Sequence, residues 1–213
     1  MVDSDTKANL SQAYDPSSTT DSLRDLYDKW SDSYDNVFGN FYNGPKYAAQ
    51  TLNKILSDKH ARILDCGCGT GLVGEQLHNM GFDNIDGVDL SEESLEVARN
   101  KGVYAKLTAA ALGPDPLEGV SKDSYDAIIC SGVFVDGHLT DNVFKEWTRI
   151  VKPGGPIVIV VNEKYTHLVK GDTFKNMVES KVIKVEDESY DAAYVTTGDD
   201  KNAGCYVLTV RVL

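Results

Sequence analysis

The chain has 213 residues, of which 41% are hydrophobic and 25% charged, ordinary values for one globular domain with a substantial core. A net charge of −12 without a visible Lys/Arg cluster makes nucleic acid a poor partner and favours a small molecule or a basic protein. No apolar run approaches about 18 residues and the first residues are acidic and polar, so we expect a cytoplasmic chain without a membrane helix or secretory signal.

Residues 1–58 divide into a polar tail and a helical segment. Residues 1–20 are rich in Ser, Thr, Asp and Asn, which predicts a loosely ordered tail. From residue 21 onward, apolar residues recur at steps of three or four and predict a helix that either packs on the domain or covers a pocket. A loop over 36–45, expected at a pocket mouth, and a second helix over 46–57 follow. The aromatic residues concerned are Tyr27, Trp30 and Tyr34 in the helix, and Phe38, Phe41 and Tyr42 in the loop.

The most informative stretch is Ile63–Gly74, where a short apolar run ends in Asp65 and alternating glycines follow. The pattern predicts a strand, a tight turn and a helix whose first amides face a ligand. Glycine suits such a turn because it permits positive φ and lets a ligand approach the backbone. The glycines at 67, 69, 71 and 74 therefore favour a ligand site over an unoccupied connection.

Two ligand motifs overlap at this turn. Gly69-x-Gly71-x-x-Gly74, with Asp89 twenty residues after its first glycine, fits the dinucleotide fingerprint. Asp65-x-Gly67-x-Gly69-x-Gly71 fits the loop of class I methyltransferases that use S-adenosylmethionine. An ionised Asp65 would repel a pyrophosphate by ~4 kcal/mol at about 4 Å but attract an ammonium and a sulfonium. The carboxylate therefore favours the methyl donor, and an NAD(P)-dependent oxidoreductase remains an alternative.

A second strand over 84–89 ends in Asp89, and a helix from Ser91 to about Asn100 follows. With the first strand and helix this makes a βαβ unit, so the sheet is parallel and the carboxylates of Asp65 and Asp89 converge at one crevice. Asp89 can accept both hydroxyls of a ribose, and capping the next helix is the alternative.

The rest of the chain continues the sheet and then changes pattern. Strands are predicted over 103–107, 125–130 and 157–161, with a helix over 141–150 before the last of these. After a helix over 173–180, the segments 182–190 and 205–213 alternate without a helix between them, which predicts an antiparallel hairpin. We therefore expect one domain over 21–213. Its parts are a helical cap at 21–58, a cofactor-binding core at 59–161, and a helix with a hairpin at 162–213.

The ordered motifs resemble those of class I S-adenosylmethionine-dependent methyltransferases. They are Asp65–Gly71, Gly87–Ser91, Tyr125–Ala127 and Val151–Gly155. Within that superfamily, Tyr27–Tyr34, Gly81-Phe82, Ala111–Leu117 and Ser131–His138 are similar to methyltransferase-like proteins related to the one from the Williams–Beuren syndrome region. The resemblance covers about residues 23–213 and implies a Rossmann-like α/β fold: a seven-stranded, mostly parallel sheet with an antiparallel last strand and helices on both faces.

The resemblance also implies a site for S-adenosylmethionine. It places the ribose on Asp89, the adenine against Leu90 and the methionine end near Tyr34. Many class I enzymes carry an acid after the third strand for the adenine, but here Thr108–Leu112 has none, so backbone groups would serve instead. The implied contact residues are Tyr27, Tyr34, Asp65, Gly67, Cys68, Gly69, Gly71, Leu72, Asp89, Leu90, Ala110, Leu112 and Ser131.

The cofactor brings the reactivity in methyl transfer, so the protein supplies alignment, exclusion of water and a base if the acceptor must lose a proton. His138 is the predicted catalytic base, with Tyr42 and Asp136 as other candidates. Ser131–Phe134 stands where amide and adenine methyltransferases carry an N/D-P-P-[YF] signature, which argues against those acceptors. The cysteines are expected to be reduced, and the Cys66-x-Cys68 spacing is not that of a metal site.

We therefore predict a methyltransferase that converts S-adenosylmethionine to S-adenosylhomocysteine and acts on an unidentified small-molecule or protein acceptor. The chain is expected to be a monomer or weak dimer, with no nucleic acid, membrane or metal partner. A cofactor-binding protein without catalysis is the alternative from another functional class.

Overall fold

The apolar segments Ile63–Cys66, before the glycine turn, and Ala127–Ser131 lie side by side near the centre of a seven-stranded sheet. The computed structural model describes residues 17–38, 42–195 and 203–213, together with residues 9, 12, 13 and 15. Most of the predicted tail, the ring of Phe38, Phe41 and residues 196–202, from the polar loop predicted before the last strand, lie outside the described residues. The strands are β1 (Ile63–Cys66), β2 (Ile85–Asp89), β3 (Lys106–Ala109), β4 (Ala127–Ser131), β5 (Pro156–Asn162), β6 (Ile183–Val195) and β7 (Ala203–Val212).

The strand order is β3-β2-β1-β4-β5-β7-β6. Strands β1 to β5 are parallel, and β7 is antiparallel to both β5 and β6. This confirms the predicted parallel sheet with an antiparallel last strand. The C-terminal hairpin inserts β7 between β5 and β6, because Asn162 at the end of β5 pairs with Cys205 near the start of β7.

Helices cover both faces of the sheet. Their bounds are α1 (Thr20–Phe38), α2 (Gly44–Ile55), α3 (Leu72–Asn79), α4 (Glu92–Asn100), α5 (Phe144–Ile150), α6 (Thr166–Val169) and α7 (Asp172–Glu179). No helix in the described part of the chain combines the length and apolar character needed to cross a bilayer.

The central strands are buried on both faces, as their near-continuous apolar sequences predict. All four residues of β1 are buried, and six of the seven residues of β5 are buried. One core, around Trp147 and Phe144 of α5, lies on one face. The other core joins α2 and α3 to the opposite face through Leu52 and Leu77.

Several element boundaries differ from prediction. Helix α1 continues to Phe38 and α2 begins at Gly44, so the loop predicted over 36–45 is shorter, and β6 extends to Val195 rather than to residue 190. The third strand begins at Lys106 rather than at residue 103, and the Tyr104 hydroxyl before it donates to Asp65 Oδ2 at 2.7 Å. The fourth strand begins at Ala127, and Tyr125 before it forms only an isolated bridge with Val151.

The topology brings the functional segments to one edge. Because β1, β2 and β4 are parallel, their carboxyl ends lie together, and so do the residues that follow each of them. The turn after β1 uses positive φ at Gly67 (φ 70) and Gly69 (φ 50), and Gly71 (φ 91) precedes the first residue of α3. Helix α1 reaches this edge from outside the sheet and packs against α4, burying Leu23, Leu26 and Trp30.

Candidate functional site

A cavity of about 180 Å³ opens at the carboxyl end of the parallel strands. Its walls come from α1, the glycine turn, the end of β2 and the segments after β3 and β4. All the predicted site residues except Asp65 and Gly71 line it. Those that do are Tyr27, Tyr34, Gly67, Cys68, Gly69, Leu72, Asp89, Leu90, Ala110, Leu112, Ser131 and His138.

The glycine turn forms one wall and leaves its backbone open to a ligand. A Cβ on Gly67 would lie 2.4 Å from Val133 Cγ2, so the close packing of this turn requires glycine. A Cβ on Gly69 would meet nothing within 4 Å. Gly69 therefore presents bare backbone to the cavity, the arrangement that lets a ligand lie against a main chain.

Asp89 fixes this turn from the end of β2. Its Oδ2 accepts the Gly69 amide at 2.7 Å and its Oδ1 accepts the Ser91 amide at 3.0 Å. Desolvation raises the pKa of the Asp89 carboxyl, against the lowering effect of these amide donors. Ser91, whose Oγ accepts the Ser94 amide, is the N-cap of α4. The capping alternative for Asp89 is therefore wrong, and its carboxylate lies on the cavity wall.

Asp65 lies beneath the glycine turn rather than on the cavity wall. Its Oδ2 accepts the Tyr104 hydroxyl, and Tyr104 Oη in turn accepts the Gly74 amide at 3.1 Å. Its Oδ1 is buried and has no hydrogen-bond partner among the described residues. Burial raises the pKa of Asp65 to about 7. The carboxyl is therefore only partly ionised near neutral pH, unlike the fully charged group assumed from the sequence.

His138 and Tyr27 form a hydrogen-bonded pair across the cavity wall. Tyr27 Oη lies 3.0 Å from His138 Nε2, and His138 Nδ1 lies 3.2 Å from the carbonyl oxygen of Asp136. Because a carbonyl can only accept, Nδ1 carries the proton and Nε2 accepts from the Tyr27 hydroxyl. Burial lowers the pKa of His138, so the imidazole is neutral. Asp136 contacts this pair only through its backbone carbonyl, and Asp136 is not among the residues that line the cavity.

A second group of hydroxyls stands at the end of β4. Tyr42 Oη lies 2.9 Å from Ser131 Oγ and accepts the Tyr194 hydroxyl at 3.2 Å. Gly44 and Gly132 make room for the Tyr42 ring, since a Cβ on either would lie within 2.6 Å of it or its hydroxyl. The chain Tyr194–Tyr42–Ser131 therefore holds polar groups at the cavity wall.

Polar contacts from α1 to the sheet side of the cavity have no signature in the sequence. Ser91 Oγ donates to Asp28 Oδ1 at 2.6 Å. Asp35 accepts a hydrogen bond from the Thr70 hydroxyl and pairs with Lys101 Nζ at 2.7 Å. These residues hold α1 across the cavity. Isolated polar residues spaced far apart in the chain carry no pattern from which such pairs could be found.

The strand order, the bare glycine turn after β1 and the carboxylate after β2 define a class I methyltransferase fold. A family model described as a methyltransferase domain matches residues 63–155. The chain is 32% identical over 164 residues to Methyltransferase-like protein 27 of Homo sapiens, covering 76% of this chain and 64% of that protein. The predicted resemblance to proteins of this type is confirmed.

Other comparisons extend the likeness. Ubiquinone biosynthesis O-methyltransferase of Bordetella avium (strain 197N) is 32% identical over 96 residues, covering 44% of this chain and 39% of that enzyme. The chain thus spans less than two thirds of the length of these curated relatives. The crystal structure of the [4+2]-cyclase SpnF matches with a TM-score of 0.67 at 14% identity, covering 91% of this chain and 96% of that one. A TehB-like S-adenosylmethionine-dependent methyltransferase from Corynebacterium glutamicum matches with a TM-score of 0.61 at 18% identity, covering 87% and 97%. At these identities the solved structures show the fold alone.

Proposed function

We propose that the chain is an S-adenosylmethionine-dependent methyltransferase whose cofactor binds in the cavity at the carboxyl end of the sheet. The observation that carries the proposal is the contact of Gly69 and Asp89 on one cavity wall. The Gly69 amide nitrogen lies 2.7 Å from Asp89 Oδ2. The backbone of Gly69, which has no Cβ, can contact a ligand closely, and the carboxylate of Asp89 can accept hydrogen bonds from hydroxyl groups. The match of residues 63–155 to a methyltransferase domain supports the same cofactor.

The residues around this contact fit the parts of S-adenosylmethionine. Asp89 retains acceptor capacity for the ribose hydroxyls, because each of its oxygens accepts one amide and a carboxylate has about four acceptor sites. Leu90, Ala110 and Leu112 give an apolar surface for the adenine. The orphaned Oδ1 of Asp65, below the turn, is an acceptor that suits a cationic ligand.

The methionine end fits the side of the cavity formed by Tyr34 and Ser131. The hydroxyl chain from Tyr194 through Tyr42 supplies that side with polar groups. When bound, the cofactor supplies a methyl group activated by its sulfonium. The protein's part is to orient the acceptor, exclude water and take up a proton, with His138 as the proposed base.

The acceptor we propose is a small molecule methylated on oxygen. The relative named as an O-methyltransferase of ubiquinone biosynthesis supports oxygen chemistry. The net charge of −12 opposes nucleic acid as the acceptor. The proposal further includes residues 21–58 as a cap over the site, a cytoplasmic location and a monomeric or weakly dimeric chain.

Calorimetric titration with S-adenosylmethionine, S-adenosylhomocysteine, NAD and NADP tests the cofactor. We expect the first two to bind and the last two not to bind. Binding of NAD or NADP in their place would refute the proposal in favour of an oxidoreductase. Tight binding of S-adenosylhomocysteine without transfer of a labelled methyl group to any component of a cell extract would instead support a cofactor-binding protein without catalysis.

A further inference from the structure

The cavity offers no positive side chain to an acceptor. Among the lining residues that the structure describes there is no Lys or Arg, and the ionisable ones are Asp89, Cys68, His138 and three tyrosines. Burial raises the pKa of Cys68 well above its usual value and lowers that of His138, so both are neutral. An acceptor with a carboxylate or phosphate would lose its hydration in this cavity without gaining a positively charged partner among the described lining residues. The wall therefore disfavours anionic acceptors.

The same wall holds a neutral base whose proton-accepting nitrogen is defined. The hydrogen bond from His138 Nδ1 to the Asp136 carbonyl fixes the tautomer in which Nε2 is the basic nitrogen. The Tyr27 hydroxyl donates to that nitrogen at 3.0 Å, and both side chains line the cavity. A hydroxyl that belongs to a lining residue and donates to a base can give its own proton to that base while it accepts one from a ligand.

We propose that the acceptor is an uncharged phenol or enol and that its proton passes through Tyr27 to His138; this inference rests on the proposed function. The acceptor oxygen forms the bond to the methyl carbon, and the carbon–sulfur bond breaks with its electron pair remaining on sulfur. The acceptor proton moves to Tyr27 Oη as the Tyr27 proton moves to His138 Nε2. The products are a methyl ether, a neutral thioether and an imidazolium, so charge and atoms balance.

A phenol suits this wall better than the other common acceptors. A carboxylate has no proton to lose, so its methylation would not need the Tyr27–His138 pair as a base. An alkyl ammonium has no lone pair until it loses a proton, whereas a neutral phenol can attack with an oxygen lone pair while its proton moves to the base. The cavity wall around the pair includes Leu23 and Leu139, which give an aromatic ring apolar surface.

The first test uses protein saturated with S-adenosylhomocysteine, which cannot react, and three probes: 4-methylphenol, its methyl ether and benzoate. A nitrogen–proton correlation spectrum follows the imidazoles of the four histidines, of which His60, His78 and His167 serve as internal references. We expect 4-methylphenol to shift the His138 signals and benzoate to bind at least about tenfold more weakly. Equal binding of benzoate, or an unmoved His138 signal with bound phenol, would overturn the proposal.

The second test separates proton transfer from binding. Tyr27→Phe keeps the ring and removes the hydroxyl, and His138→Gln removes the base. We expect each to lower the rate of methyl transfer to 4-methylphenol by about 10²-fold or more. Tyr190→Phe is the matched control, because Tyr190 is exposed and its hydroxyl donates to Glu163 away from the cavity.

Calorimetry with S-adenosylhomocysteine on every variant distinguishes the two proposals. Retained cofactor affinity with unchanged methyl transfer in Tyr27→Phe and His138→Gln would refute the proton path and leave the cofactor site standing. Failure of the unsubstituted protein to bind S-adenosylhomocysteine would refute the proposed function, and the inference that rests on it would fall with it.

Discussion

The buried carboxyl of Asp65 makes the stability of this protein depend on pH in an unusual direction. Its side chain is fully buried, and burial raises its pKa from 3.8 to about 7. In the unfolded chain the same group ionises near pH 4. Between these values the unfolded state releases a proton that the folded state keeps, so folding becomes less favourable as pH rises. The stability present below about pH 4 is lost progressively up to about pH 7, and the loss is then complete.

The size of this effect follows from the shift. Each pKa unit corresponds to about 1.4 kcal/mol, so a rise of about three units removes about 4 kcal/mol between pH 4 and pH 8. Domains of this size are stable by only about 5–15 kcal/mol, so the effect is large enough to measure. Asp65→Asn cannot ionise, and its stability will lack this decline. The amide leaves a buried NH2 group, with two donors, without a partner where Oδ1 stood, which costs about 1–3 kcal/mol at every pH.

Urea unfolding of the protein and of Asp65→Asn at intervals from pH 5 to pH 8 measures the difference in slope. Asp126→Asn is a control whose slope over this pH range is expected to match that of the unsubstituted protein. Although burial alone would raise the pKa of Asp126, hydrogen bonds from the Lys152 ammonium and the Arg62 amide hold it below its usual value. Its ionised form therefore stabilises the fold above about pH 4, and Asp126→Asn will be less stable than the unsubstituted protein by a nearly constant amount from pH 5 to pH 8. Parallel curves for the protein and Asp65→Asn across this range would refute the reasoning.

Three further results are expected. Asp89→Asn will lower the affinity for S-adenosylhomocysteine by about 10- to 150-fold in calorimetry, because charge-assisted bonds to the ribose are worth about 1.5–3 kcal/mol. Gly67→Ala will lower the melting temperature more than Gly119→Ala, since both have φ near 70 but only a Cβ at 67 would contact Val133; equal losses would contradict the close packing of the turn. The affinity for S-adenosylmethionine will fall about tenfold per pH unit below about pH 7 if ionised Asp65 holds the cation, and Asp65→Asn will abolish that slope.

The sheet and the position of the cavity could be predicted because their signals are local in sequence. The run of apolar residues, acid and glycines at 63–74 specifies a strand, a turn and a helix within one short stretch. The second strand also ends in an acid, Asp89. Because the two strands are parallel, the residues that follow each of them lie at the same edge of the sheet. Ser131, at the end of β4, lies on the cavity wall for the same topological reason.

The contacts that set the chemistry could not be predicted, because each joins residues that are distant in the chain and belong to no repeating pattern. Tyr104 reaches Asp65 across 39 positions, and Tyr27 reaches His138 across 111. The sequence showed that an acid ends β1 but not that a tyrosine would cover it. Charge, tautomer and accessibility depend on those partners, so the sequence supported a fully ionised Asp65 where the structure has a buried group with a pKa of about 7.

The position of Asp65 links the stability of the empty protein to its proposed ligand. At pH 8 the fold carries an ionised carboxylate with one unpaired oxygen, a state that burial makes unfavourable. A cationic ligand near that oxygen lowers the pKa of the group and removes part of the penalty. Binding then stabilises the fold through mass action and through the carboxylate it neutralises. A neutral residue at this position would remove the cost of burying a charge in the empty protein. It would also remove the stabilisation that a cationic ligand gains by neutralising the carboxylate. A buried acid at the turn is therefore better explained by a cationic ligand than by the requirements of the fold.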